Sequence, residues 1–106
     1  MQICALDILV REIVAVNHAW KQAQDLFEDG SPLTISLREL KGRLQVRLLR
    51  YYFPDVFLEL DPEASGEPLY SLRLNRSVGN LKDAAHLPVR KAKEFLSQEE
   101  IKKFTS

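Results

Sequence analysis

Leu6, Leu9, Ile13, Val16, Trp20, Ala23 and Phe27 follow one another at intervals of 3, 4, 3, 4, 3 and 4 residues. Apolar side chains at that spacing fall on one side of an α-helix, so the first quarter of the chain buries itself best as one long amphipathic helix. Asp7, Arg11, His18, Lys21, Gln22, Asp25 and Glu28 occupy much of the other side. Gly30 and the Ser31-Pro32 pair after it predict its end. A second apolar set, Ile8, Ala15, Ala19 and Leu26, widens the apolar surface. That breadth is expected of a helix touching two layers, or a core and a partner subunit. The main seam lasts only three heptads, which favours intramolecular core over coiled coil.

The segment 33–53 admits two readings. As a helix, Ser36 with Glu39 forms a capping-box pattern. Leu37, Leu40, Leu44, Leu48 and Tyr51 then share a face, beside a stripe of Arg43, Arg47 and Arg50. Gly42, Val46, Leu49 and Phe53 make a smaller apolar stripe. As strands, Ile35 and Leu37, then Leu44, Val46 and Leu48, alternate with polar residues around a Lys41-Gly42 turn. Leucine and arginine favour helix, and alternation is lost after Leu48, so helix is preferred, with Gly42 a point where it could break in two.

Beyond Pro54-Asp55 the period changes. Val56, Leu58 and Leu60, then Tyr70, Leu72 and Leu74, alternate as the strands of a hairpin, with Glu59 and Arg73 placed to pair on its outer face. The connection Asp61–Pro68 is acidic and rich in turn residues, as a solvated loop requires. Residues 75–87 read as irregular, with a turn at Gly79-Asn80. Pro88 opens a short helix through Leu96, with Val89, Ala92 and Leu96 inward. Ser97 and Glu100 repeat the capping-box pattern for a last helix.

At 106 residues, 45% of them apolar, residues 1–106 are expected to form a single globular domain. Asp7, Arg11 and Glu12 interrupt the apolar run Ile3–Val16, which is neither a secretory signal nor a membrane span. With Cys4 the sole cysteine, a cytoplasmic protein without disulfides and with no membrane association is expected. Asn75-Arg76-Ser77 is read as a chance glycosylation sequon.

The chain carries fifteen basic and fifteen acidic residues, sorted into blocks. Residues 1–34 are net −3, 35–53 net +4, 54–68 net −5, 69–93 net +5 and 94–106 net −1. Segregated charge can present a basic face to an anionic partner, or the blocks can neutralise one another on folding. Arg43, Arg47 and Arg50, with Arg73 and Arg76 in support, suit phosphate oxygens, and Tyr51 and its aromatic neighbours suit stacking on bases. On the other reading the arginine stems cover apolar surface and their heads pair with acids.

No ligand-spaced metal motif and no glycine-rich phosphate loop is present, so no metal and no cofactor is expected. Ser77, Asp83 and His86 can be written as a triad, but without a nucleophile elbow they are read as surface residues. Cys4 is read as inert packing. No residue is assigned a catalytic role, and the chain is expected not to be an enzyme.

The order of long helix, Ser31-Pro32-Leu33-Thr34-Ile35, Leu/Arg-rich helix and hairpin, with the stretch Leu26-Phe-Glu-Asp-Gly-Ser-Pro-Leu-Thr-Ile-Ser-Leu-Arg-Glu-Leu40, resembles the general pattern of winged-helix domains over residues 6–74. The resemblance implies a nucleic-acid-binding regulator. The chain departs from the pattern in lacking a separate recognition helix between Leu40 and Phe53, and its wing would be acidic. The strand reading of 33–53 gives instead a helix on a four-stranded antiparallel meander. Both are α+β, and both bury Leu6, Ile13, Trp20, Leu44, Leu58 and Leu72. Two functions remain open. The preferred one is a non-catalytic protein-interaction or assembly module, homodimeric through the first helix and Val46, Leu49 and Phe53. The other is a nucleic-acid regulator acting through Arg43, Arg47, Arg50, Arg73 and Arg76.

Overall fold

The computed structural model describes residues 5–62 and 65–105. Cys4 and Glu63 lie outside the described residues. Seven elements follow in order: α1 (Ala5–Phe27), α2 (Pro32–Tyr52), β1 (Val56–Leu60), β2 (Leu69–Val78), β3 (Leu81–Pro88), α3 (Val89–Phe95) and α4 (Gln98–Phe104). The fold is α+β, a three-stranded antiparallel sheet of order β1-β2-β3 with helices packed on it.

Helix α1 ends where expected, but its left-handed residue is Glu28, at φ 72°, two positions before Gly30. Helix α2 begins five residues earlier than the Ser36 pattern predicts. Ser31 caps it, its Oγ accepting from the Thr34 amide at 3.1 Å, and Pro32 supplies the first turn. Ser36 is therefore inside the helix, and Glu39 accepts a hydrogen bond from Lys91 at 2.6 Å. The two-strand reading of 33–53, and with it the meander, is overturned. Helix α2 also runs unbroken through Gly42, so the winged-helix pattern lacks its helix–turn–helix corner.

Glycine survives mid-helix because Phe95 of α3 packs directly against it. A Cβ at position 42 would lie 2.6 Å from the Phe95 ring. Such close approach is what the missing side chain permits.

The hairpin has the expected register, with Val56 opposite Leu74, Leu58 opposite Leu72 and Leu60 opposite Tyr70. On its open face Arg73 donates to Glu59 at 3.4 Å. The stretch read as irregular is instead the third strand, turning at Gly79-Asn80. Ser71 pairs with His86 and Arg73 with Asp83, so β3 carries one extra residue across that interval. Ala85 takes a positive φ of 65° there. The bulge turns both Ala84 and Leu87, three apart, toward the core, and this breaks the alternation that marks a strand in sequence.

One hydrophobic cluster draws on every element: Leu6, Val10 and Ile13 of α1, Leu48 and Leu49 of α2, Val56, Leu58, Leu72 and Leu87 of the sheet, Ala92 of α3, and Phe104 of α4. Of the six residues expected to be buried, Leu6, Ile13, Leu58 and Leu72 are so, while Trp20 and Leu44 are half-buried. Gln45 enters this core fully buried and donates to the carbonyls of Ala84 (3.0 Å) and His86 (3.1 Å) on edge strand β3. At the C-terminus Ser97 and Glu100 form the predicted reciprocal capping box.

Candidate interaction surface on helix α2

The stripes of α2 are reversed relative to the sequence expectation. Val46 and Leu49, expected to face a partner, are 6% and 0% exposed, and Phe53 is half-buried against the ring of Phe104. They are core, because α3 and the sheet close over the side of α2 that carries Gly42. The leucine stripe expected to be core faces outward instead. Leu33 is 51% exposed, Leu40 45% and Tyr51 76%, with Leu37 and Leu44 half-buried between them. Only Leu48 of the expected set turns fully inward.

Positions 33, 37, 40, 44, 47 and 51 succeed one another at spacings of 4, 3, 4, 3 and 4. That is the seam repeat of a coiled coil, here lying at the border between the packed side of α2 and the exposed side that carries Ser36 and Arg43. Arg47 holds one seam position. The sequence contained one signal that tells the stripes apart: Gly42 marks the side approached closely by another element.

The five candidate arginines do not form one face. Arg43, Arg47 and Arg50 line an open groove of about 510 Å³ with Val46, Tyr51 and Phe95. Arg50 is spent within the fold. It donates to both carboxylate oxygens of Glu100, at 2.8 and 3.0 Å, and to the Phe95 carbonyl at 3.2 Å. That contact and the Ser97 amide hold the Glu100 carboxyl down at about 2. Arg73 is paired with Glu59 on the open sheet face, turned away from the helices, and Arg76 lies exposed farther along β2. Arg43 and Arg47 are exposed, and neither forms an ion pair among the described residues.

The charge blocks thus cancel in part through contacts between them. Besides Arg50–Glu100, Lys91 reaches Glu39 and Glu94, and Arg90 reaches Glu67 at 2.8 Å. His86 meets Asp61 at 3.2 Å and not Asp83, whose cross-strand neighbour is Arg73, so Ser77, Asp83 and His86 are not brought together as a triad.

A basic cluster that the sequence did not single out lies between α1 and α2. Lys41 is 4% exposed, its Nζ donating to Asn17 Oδ1 at 3.3 Å and lying 4.4 Å from the centre of the Trp20 ring. Burial first, then the charges of Lys21 and Arg38, push its ammonium down to about 8. The nearby Trp20 Nε1 and Arg38 Nε are buried without hydrogen-bond partners. Among the described residues no helix is long and apolar enough to cross a membrane. The chain matches no protein-family model, no curated protein sequence and no solved structure.

Proposed function

We propose that this chain is a non-catalytic protein-interaction module that docks an amphipathic helix along the outer seam of α2. The observation that carries the reading is the 4-3-4-3-4 run of Leu33, Leu37, Leu40, Leu44, Arg47 and Tyr51, in which Leu33, Leu40, Arg47 and Tyr51 are exposed and Leu37 and Leu44 half-buried. Completing the burial of a half-exposed leucine is worth roughly 1 kcal/mol, so four leucines and a tyrosine supply several. Much of that offsets the entropy of association, which points to a reversible partnership. Arg47 holds a seam position and Arg43 flanks it, where their stems cover apolar surface and their heads meet acids of the partner.

The test is a photo-crosslinking amino acid at Leu40 in the full chain, with Lys82 on β3 as the control site. The reading expects a product at Leu40 alone, mapping to an apolar helical face of the partner. Binding of that purified partner should be lost in Leu37→Glu/Leu44→Glu and kept in Lys82→Glu. No product at Leu40 in the folded chain overturns it.

A second reading, nucleic-acid binding, is favoured by the two unpaired arginines beside the exposed Tyr51 ring. With Arg50 and Arg73 engaged elsewhere, it rests on about two phosphate contacts and gives only a weak, shallow salt dependence.

A further inference from the structure

Three cationic side chains gather between α1 and α2 with no acid paired to them. Lys41 is 4% exposed, and Arg38 stands one turn before it on the same side of α2. Lys21 follows Trp20 on α1, and the Trp20 ring centre lies 4.4 Å from Lys41 Nζ. Among the described residues none of the three cations forms an ion pair, and Glu39, next to Arg38, is taken by Lys91. The charges that bear on Lys41 are those of Lys21 and Arg38, both of its own sign.

Hydrogen-bond donors are left over at the same place. Trp20 Nε1 and Arg38 Nε are buried without partners, and Asn17 accepts one of the three protons of Lys41. The other buried atom without a partner, Gln45 Oε1, lies one turn farther along α2, where its amide faces β3. Buried donors and buried charge are both costly when nothing compensates them. A water molecule satisfies the donors and leaves the charge, whereas an anion answers both.

We propose that this cluster is an oxyanion site, in which Trp20 Nε1, Arg38 Nε and Lys41 Nζ donate to the terminal oxygens of a phosphate group. Donors from three separate side chains suit a group with three terminal oxygens better than a carboxylate with two. Guanidinium and ammonium groups both form strong, charge-assisted bonds to phosphate. Lys21 is exposed and Arg38 half-buried, which sets the mouth of the site at the surface between them. The site faces α1 and uses no residue of the outer seam, so it stands or falls apart from the docking reading.

Trp20 is the sole tryptophan, so its indole N–H gives a single nitrogen–proton resonance that reports on this place. Inorganic phosphate, titrated into the full chain at an ionic strength fixed with chloride, should shift that resonance along a saturating curve. Its midpoint should fall below about 10 mM. The thermal midpoint should rise as well, since the anion binds the folded chain. Lys41→Met and Arg38→Met should each weaken the response about tenfold or more, because each removes one charge-assisted bond. Lys82→Met, at an exposed position of β3, removes the same charge and should leave the response unchanged. Lys41→Met also removes a buried charge and should fold at least as well as the parent, so it decides if Arg38→Met fails to fold.

No saturating shift up to about 50 mM phosphate, or an equal shift with chloride alone, overturns the site. So does a response that is unchanged in either folded variant of the cluster. A response to acetate as strong as that to phosphate overturns the choice of a phosphate group.

Discussion

The ring of Phe95 occupies the space in which a side chain at Gly42 would begin, its Cε2 lying 2.6 Å from an ideal Cβ. This contact fastens α3 against α2. Gly42→Ala therefore sets two effects in opposition. The better helix former gains about 1 kcal/mol, and overpacking against the ring costs about 1–3 kcal/mol. We expect net destabilisation of about 1 kcal/mol, seen as a lower urea midpoint. In a Phe95→Leu background the same substitution should become neutral or stabilising, and an additive double-mutant cycle would count against the contact.

Gln45 ties the core face of α2 to edge strand β3 through the carbonyls of Ala84 and His86. Gln45→Leu keeps the bulk and leaves the buried Ala84 carbonyl without this donor. A cost of about 2–3 kcal/mol is expected, with amide exchange rising first around the Ala85 bulge. A loss below about 0.5 kcal/mol would show that the glutamine is incidental.

Lys41 lowers stability at neutral pH. Its ammonium titrates near 8 in the fold against 10.5 when exposed. Between those values the unfolded chain holds a proton that the folded chain has lost, so stability rises with pH across that window. Lys41→Met should be more stable than the parent by roughly 1–2 kcal/mol at pH 7, the loss of the contact with Trp20 offsetting part of the gain. The difference should shrink toward pH 10. A constant difference across pH would mean that the amine is not desolvated.

The Arg50–Glu100 pair has the opposite sign. Glu100 titrates near 2 in the fold against 4.5 otherwise, so its stabilisation is complete above pH 4.5 and disappears as pH falls toward 2. Both partners are partly exposed, which keeps the effect below about 1 kcal/mol. Thermal melts of the parent and Glu100→Gln should converge as pH falls from 4.5 to 2, and high salt, which screens the pair, should narrow the gap between them above pH 4.5.

Nucleic-acid binding has a quantitative limit. Arg43 and Arg47 together give a log–log salt slope no steeper than about −1.4 for a single strand. Fluorescence anisotropy of a labelled oligonucleotide, with Arg43→Glu/Arg47→Glu beside it, measures that slope. A steeper one would restore a larger basic footprint than the two free arginines provide.

Much of the fold is legible along the chain because its determinants are local. The helical period from Leu6, the alternation of Val56–Leu60 against Tyr70–Leu74, and the Ser97–Glu100 cap each need only neighbours in sequence, although Phe27 at the end of the α1 seam is exposed and Val10, outside that seam, is buried. Strand β3 is hidden because the bulge at Ala85 shifts its inward residues from a spacing of two to three. The start of α2 is misread because two serines offer caps, and Pro32 after Ser31 suits the first turn best.

Propensity, a property of the chain alone, favours a helix over 33–53, and its period sorts the residues into apolar stripes and an arginine stripe. Which stripe is core depends on what packs against it. Three faces of α2 compete for the same interior, and packing awards it to the side where Gly42 admits Phe95 and where Gln45 can satisfy the carbonyls of β3. Of the leucines displaced from that interior, Leu33 and Leu40 are left exposed with Tyr51, while Leu37 and Leu44 are half-buried at its edge.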